Sequence, residues 1–254
     1  MVFETLTVSE DDGIGRLTLN QPDKLNPLGT QSLEEIVQAT EWFDQQNTAV
    51  VVINGAGRAF SSGFDLREFT NENFKGRNGP ALGKQMADAV ENMRAVAIAA
   101  VHGHCIGGGV VLVSACDLRI AATGTAFSIP EVDLGIPLAW GGIPRLVREI
   151  GPAMTRELVM TCRPFNADEA KLIGFINQVV APEELERAST QLANAIRKRP
   201  QTIIHTTKLQ VQSAAEDLAS TQKEWVGEML IASAGLDQNA KESAQNYLKE
   251  KNET

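Results

Sequence analysis

The sequence has few cysteines, no excess of basic residues and no long apolar run, and each lack excludes a class of protein. Its three cysteines, Cys105, Cys116 and Cys162, are odd in number and show no C-x-x-C spacing, which argues against a disulfide framework or a metal site. A formal net charge of −9 argues against nucleic acid as a partner, since that binding needs a broad basic face. No apolar run approaches the ~20 residues that span a bilayer, so we expect no membrane partner.

The first residues, MVFETLTVSEDDG, hold neither a basic nor an apolar segment of the kind found in signal peptides. We therefore expect a cytoplasmic protein. Hydrophobic residues make up 43% and charged residues 22% of the 254 residues, values typical of a globular protein. In such a protein the cysteines are expected to be small buried side chains.

Hydrophobic periodicity predicts an α/β chain that repeats one unit. Apolar and polar residues alternate over residues 3–9 and 14–20, which predicts a hairpin. A helix capped by Thr30 and buried strands at residues 50–53 and 96–101 follow. Short strands are expected at residues 118–121 and 126–129, and a mobile loop over a site at residues 71–83. Two passes through a strand-strand-helix unit predict a coiled stack of such units.

Past Pro182 the pattern is helical throughout, so we expect a core of residues 1–197 and a helical oligomerisation region of residues 198–254. Within the core, the stretch HGHCIGGGVVLVSACD at residues 102–117 places three consecutive glycines in an apolar run. Glycines cost backbone entropy unless something must approach the backbone closely. If they open a helix, their outward N–H groups form a seat for an anion. Taken alone, the triplet is equally compatible with a tight turn in a core.

Four segments carry a more specific pattern: AFSSGFDL at residues 59–66, GHCIGGG with CD following at 103–117, PEVDLGI at 130–136 and DEAKLIGFINQVV at 168–180. In order and spacing they resemble the crotonase (enoyl-CoA hydratase/isomerase) superfamily, and the resemblance covers almost the whole chain. It implies a crotonase-like spiral of strand-strand-helix turns with a helical C-terminal region. It also implies an acyl-CoA thioester substrate, a homotrimer or dimer of trimers, and no separate cofactor, because coenzyme A is part of the substrate.

The resemblance also implies the residues of a site. The backbone N–H groups of Phe64 and Gly108 would hold the thioester oxygen, where one such donor is worth ~2.7–4 kcal/mol of barrier. Glu131 would be the acid/base, with a pKa raised by apolar neighbours such as Leu134. The residues expected to bind coenzyme A are Lys24, Leu25, Asn26, Ser62, Asp65, Leu66 and Arg67. Those expected to line the acyl pocket are Val111, Leu138, Ala139 and Trp140.

Val111 departs from the family's hydratase pattern, which has a second carboxylate at this position. A typical hydratase needs two carboxylates around one water, whereas a shift of a double bond from position three to position two needs one. The sequence therefore resembles single-glutamate Δ3,Δ2-enoyl-CoA isomerases most closely. An enoyl-CoA hydratase that uses Glu131 alone or with another residue, and a non-catalytic acyl-CoA-binding protein, are the alternatives. Asp133 and Glu68 are the reserve bases.

Overall fold

Two β-sheets form the centre of the computed structural model, which describes residues 2–69, 79–223 and 237–252. The strands are β1 (Leu6–Asp11), β2 (Ile14–Leu19), β3 (Val50–Gly55), β4 (Val96–Val101), β5 (His104–Ile106), β6 (Leu118–Ala122), β7 (Ala126–Ser128), β8 (Phe165–Asn166) and β9 (Gln178–Val180). The larger sheet has the order β1-β2-β3-β4-β6-β9, and the smaller has the order β5-β7-β8. Only the β1–β2 hairpin is antiparallel in the larger sheet as described.

Helices follow the strands in the described ranges. They are α1 (Thr30–Gln45), α2 (Leu66–Phe69), α3 (Gly79–Asn92), α4 (Gly108–Ser114), α5 (Gly142–Thr161), α6 (Ala167–Leu172), α7 (Leu185–Arg197), α8 (Gln201–Leu218) and α9 (Gln238–Asn252). A non-helical Gly151 with φ of +73° kinks α5. In the ranges that the structure describes, no helix combines the length and apolar character needed to cross a membrane.

The chain passes from the larger sheet to the smaller sheet and then to a helix in repeated turns. One turn runs from β4 in the larger sheet to β5 in the smaller sheet and then to α4, and the next runs from β6 to β7 and then to α5. A bridge between Ser61 and Cys105 adds the segment after β3 to the smaller sheet. The predicted spiral of strand-strand-helix units is confirmed.

The central strands of the larger sheet, β3, β4 and β6, are buried on both faces, as parallel strands between two layers of helices must be. Side chains alternate along β3, so Val51 and Ile53 face the main core while Val50 and Val52 pack towards α7. Among the cysteines, Cys105 and Cys116 are buried and Cys162 is partly buried, and all three are free thiols.

Two local predictions were wrong. Thr30 is the first helical residue of α1 and Gly29 is its N-cap. The N–H of Thr30 donates to the carboxylate of Glu68 at 2.9 Å. Glu68 therefore has the capping role that was expected of the Thr30 hydroxyl. Gly79–Gly83, expected in a loop, belongs to α3, because the apolar spacing that begins at Met86 continues into this first turn. The rest of the expected mobile loop, residues 71–78, lies outside the described residues.

Candidate active site

The glycine-rich segment forms the junction between β5 and α4. Gly107 has a φ of +49°, and its N–H donates to the carbonyl of Ser128 at 2.9 Å. Its own carbonyl accepts the N–H groups of Val110 and Val111 at 2.8 and 3.2 Å, which closes the first turn of α4. Because the Gly107–Gly108 peptide is trans, the N–H of Gly108 points the opposite way, out of the helix.

The segment that contains Phe64 runs beside this junction. Leu28 donates its N–H to the carbonyl of Gly63 at 2.8 Å, so the trans peptide directs the N–H of Phe64 away from Leu28. A β-carbon on Gly63 would lie 2.7 Å from the carbonyl oxygen of Ile106 and 3.5 Å from the nitrogen of Gly108. The two segments therefore touch, and the contact brings together the two residues whose N–H groups are predicted to hold the thioester oxygen.

Glu131 lies in the loop after β7 and is 9% exposed. Its Oε1 rests against the α-carbon of Gly107, where a β-carbon would lie only 2.6 Å away. Its Oε2 is buried and has no hydrogen-bond partner in the described part of the chain. Burial raises the pKa of this carboxyl from 4.5 to about 7. Such a group gains and loses a proton near neutral pH, which general acid/base catalysis requires.

A cavity of about 50 Å³ lies in front of this carboxyl. Besides Glu131 it is lined by Ser62, Gly63, Phe64, Leu66, Ile106, Gly107, Pro130, Leu134, Ile136 and Tyr247. Glu131 is the one carboxylate among these described lining residues, and most of the others are apolar. Leu134, one of the apolar neighbours expected from the sequence, is among them.

Val111 lies in an apolar wall and is 1% exposed. A β-carbon on Gly142 would lie 2.9 Å from Val111 Cγ2 and 3.0 Å from Leu138 Cγ, so α4 and the start of α5 meet here in close contact. Ala139 is partly buried against the same core. The position at which the resemblance places the second carboxylate of a hydratase is therefore filled and apolar.

Trp140 fills the space beside Gly108. Its indole lies so close to the α-carbons of Gly83 and Gly108 that a β-carbon on either glycine would overlap it. Its ring also meets Phe64 edge-on, with centroids 6.0 Å apart. Trp140 has a left-handed φ of +62°, a conformation that costs a bulky residue about 1–3 kcal/mol.

A larger cleft of about 580 Å³ adjoins the small cavity. Its described lining is Lys24, Leu25, Pro27, Ser62, Phe64, Asp65, Leu66, Arg67, His104, Ile106 and Tyr247. Six of the seven residues predicted to bind coenzyme A are in this set, and five of the lining residues also line the small cavity. A molecule bound along the cleft can thus reach Glu131. Contact of these residues with coenzyme A stays a prediction.

Arg67 and Asp65 form an ion pair at the rim of the cleft. Arg67 Nη2 and Nε lie 2.6 and 2.8 Å from the carboxylate of Asp65, and the guanidinium lowers the pKa of that carboxyl. Asn26, the seventh predicted residue, is 1% exposed. Its amide nitrogen donates to the carbonyls of Ala56 and Ala59 at 2.8 and 2.9 Å. Its side chain therefore organises the loop and does not face the cleft.

Tyr247 is a site residue that the sequence reasoning missed. It belongs to α9 and lines both cavities, and burial and the negative charge of Glu131 raise the pKa of its phenol. The sequence held a signal for this residue, because Tyr247 is the one tyrosine in the sequence and lies in a strongly polar segment. The backbone of α9 at Ala240 packs directly on Gly135 in the loop of Glu131.

Neither reserve base lines the small cavity. Both carboxylate oxygens of Glu68 accept from Thr30, at 2.5–3.1 Å, and Asp133 is exposed. His102 Nε2 lies 2.9 Å from the carbonyl of Gly57. Among the described residues, no group of three His, Cys, Asp or Glu side chains is arranged to hold a metal ion.

Comparison with known proteins identifies relatives along almost the whole chain. Residues 9–254 match the family model described as enoyl-CoA hydratase/isomerase. The chain is 36% identical over 211 residues to a crotonyl-CoA hydratase from Syntrophomonas wolfei, covering 82% of this chain and 81% of that protein. It is 34% identical over 209 residues to a peroxisomal Delta(3,5)-Delta(2,4)-dienoyl-CoA isomerase from Arabidopsis thaliana, covering 76% and 75%.

Solved structures have the same fold. A crystal structure of an enoyl-CoA hydratase/isomerase from Xanthobacter autotrophicus matches with a TM-score of 0.86 and 26% identity, covering 94% of this chain and 91% of that one. A second, from Geobacillus kaustophilus and named as subunit I of an enoyl-CoA hydratase, matches with a TM-score of 0.79 and 30% identity over 98% and 96% of the two chains.

Proposed function

The chain belongs to the enoyl-CoA hydratase/isomerase family, and from this premise and the site we propose that it moves a double bond of an acyl-CoA thioester from position three to position two. The observation that carries the proposal is the single carboxylate. Glu131 is the one acid among the described residues around the small cavity, and Val111 occupies the position of the second acid. The finer choice of isomerase over hydratase rests on this point.

The proposed reaction needs one base and one anion site. Glu131 removes a proton from C2 of the 3-enoyl thioester, and the electrons move onto the thioester oxygen to give a dienolate. The N–H groups of Phe64 and Gly108 hold that oxygen, since fixed donors act most strongly where charge develops. The protonated Glu131 then returns the proton at C4, and the double bond lies between C2 and C3. No water is consumed, and the number of protons on the substrate is unchanged.

Coenzyme A is proposed to lie in the larger cleft, with Lys24 and Arg67 near its phosphates. We also expect a homotrimer or dimer of trimers. The support is a row of exposed apolar side chains on α8, at Ile203, Val211 and Leu218, which are 62%, 63% and 70% exposed. They recur at spacings of eight and seven residues and so lie on one side of the helix. Apolar surface of this kind commonly marks an interface.

A direct test compares two substrates of the same chain length. The purified protein is given 3-enoyl-CoA or 2-enoyl-CoA, and the conjugated thioester and the 3-hydroxyacyl thioester are both measured. We expect isomerisation to exceed hydration by about 10² or more, because hydration lacks one of its two acid/base groups. The names of several relatives favour hydration, so rapid hydration of the 2-enoyl thioester would replace this proposal with the hydratase. Binding without turnover of either substrate would indicate a non-catalytic acyl-CoA-binding protein.

Val111→Glu is expected to add hydration. A side chain on α4 leans towards the helix N-terminus, so a carboxylate at position 111 extends over Gly107 and Gly108 towards Glu131. We expect hydration of 2-enoyl-CoA at least about tenfold above that of Val111→Gln, since a positioned acid/base group contributes about 10²–10⁴-fold when well placed. The glutamine variant matches the size and polarity without the acid. Equal rates in the two variants would contradict the two-carboxylate argument.

A further inference from the structure

Trp140 is held in a conformation that its side chain disfavours. Its φ of +62° is left-handed, where a bulky residue persists only if its surroundings enforce it, and such outliers cluster at functional sites. Arg145, which is 1% exposed, supports this backbone. Arg145 donates to the carbonyl of Trp140 at 3.2 Å and to Asp88 and Glu91 of α3 at 2.8 and 2.5 Å.

The indole lies beside the reacting atoms. It covers the α-carbon of Gly108 and meets the ring of Phe64, so it touches both residues proposed to hold the thioester oxygen. Glu131 covers the α-carbon of the neighbouring Gly107. A thioester bound at the two N–H groups is therefore flanked by the acid and by the indole, and its acyl chain must find room between them.

The described residues leave little room in front of Glu131. The cavity in front of Glu131 measures about 50 Å³, and on this measure a water-sized group takes roughly 10–15 Å³, so about four such groups fit. Gly83 of α3 backs the indole on its far side, because it has no β-carbon where the ring lies. The ring is thus packed against both α3 and α4.

We propose that Trp140 limits the acyl chain, so that the site accepts thioesters with acyl groups of about four carbons and excludes those of about eight. The indole occupies the space that a longer chain needs. It can do so because Gly83 has no β-carbon where the ring lies. This inference rests on the proposed function for the placement of the thioester, and it adds the substrate class.

The test measures binding of saturated thioesters, which have no double bond to move. Calorimetry with butanoyl-CoA and octanoyl-CoA is compared for the wild type, Trp140→Gly and Trp42→Ala. Glycine removes the ring and accepts the left-handed backbone, and Trp42 lies on α1 and contacts Phe43, away from both cavities. We expect the wild type and Trp42→Ala to bind octanoyl-CoA at least tenfold more weakly than butanoyl-CoA. Trp140→Gly is expected to bind octanoyl-CoA at least tenfold more tightly than the wild type does.

Trp140→Phe, a smaller change, covers the case in which the glycine variant does not fold, and it is expected to gain affinity for hexanoyl-CoA. A wild type that binds octanoyl-CoA as tightly as butanoyl-CoA, or an unchanged ratio in the folded Trp140 variants, would overturn the inference. If the protein does not isomerise 3-enoyl-CoA but the expected binding ratios of octanoyl-CoA to butanoyl-CoA are found, only the proposed reaction is overturned. If neither thioester binds the wild type, the proposed placement of the acyl-CoA is wrong, and this inference is wrong with it.

Discussion

Glu131→Gln is expected to slow isomerisation of 3-enoyl-CoA by about 10²–10⁴-fold, the usual contribution of a positioned acid/base group. Glutamine keeps the size of the side chain and its contact with Gly107 but can neither take the proton from C2 nor return it at C4. The expected loss is in kcat, with KM changed little, because the thioester and coenzyme A are proposed to contact other residues. Steady-state kinetics with one 3-enoyl-CoA measures both.

Asp133→Asn is the matched control. It removes a carboxylate two residues further along the same loop, from an exposed side chain, and we expect its kcat to stay close to that of the wild type. A similar loss in both variants would show that the charge of the loop matters and not the proton of Glu131. Full activity of Glu131→Gln would exclude Glu131 as the base.

The pH dependence gives an independent readout of the same group. The base must be ionised before it removes the proton, so kcat/KM is expected to rise with pH and to reach half its limit near pH 7, since burial raises the pKa of Glu131 to about 7. Whatever activity Glu131→Gln retains should lack this rise.

The pH dependence of thermal stability gives a further measurement of the same carboxyl. The folded chain holds the proton of Glu131 with a pKa of about 7, against 4.5 for the ordinary carboxyl. The protonated carboxyl therefore stabilises the folded state fully below pH 4.5, and this stabilisation is lost as the pH rises through about 7. Glutamine does not titrate. The Tm of Glu131→Gln relative to the wild type is thus expected to be higher at pH 8 than at pH 5.

Gly63→Ala is expected to lower kcat by about 10²–10³-fold, the usual effect of losing one donor to an oxyanion. The new β-carbon would lie 2.7 Å from the carbonyl oxygen of Ile106, on a backbone with φ of +86°. To relieve this overlap the segment of Phe64 must move away from the β5–α4 junction, and the two N–H groups then no longer converge. The same kinetic assay detects the loss.

Gly124→Ala separates this effect from backbone strain. Gly124 has a similar φ of +82°, but a β-carbon there meets nothing within 4 Å. Both alanines pay the left-handed backbone cost of roughly 1–2 kcal/mol, so both variants should lose several degrees of Tm. Only Gly63→Ala should lose kcat. Equal kcat in the two variants would mean that the contact at Gly63 does not set the position of Phe64.

The sequence was sufficient for those parts of the molecule in which a local pattern has one physical solution. The apolar runs at β3 and β4 predicted buried strands, and these strands are present. The three glycines left two interpretations open when taken alone, and the motifs around them favoured the start of a helix at a binding site. Glu131 was identified through a motif, and its burial explains its raised pKa. Thr30 was assigned to the cap by its residue type, but the cap came from Glu68, 38 residues away, and no local pattern carries such a contact.

Trp140 and Tyr247 show the same limit within the site. Trp140 was expected in the acyl pocket, but its left-handed backbone and the support it receives from Arg145 could not be predicted, because Arg145 is itself held by α3. Tyr247 reaches the cavity because α9 packs back on Gly135, about a hundred residues earlier in the chain. Asn26 was expected at the cleft, and its amide instead binds carbonyls that come near only after folding.

Because α9 packs on the loop of Glu131, one wall of the cavity comes from the last helix that the structure describes. The acid, the glycine junction and Trp140 lie about a hundred residues earlier in the chain. A change that weakens the contact of α9 with Gly135 would therefore withdraw Tyr247 from that wall and leave Glu131 more open to water. The pKa of Glu131 would then move back towards 4.5, since burial is what raises it.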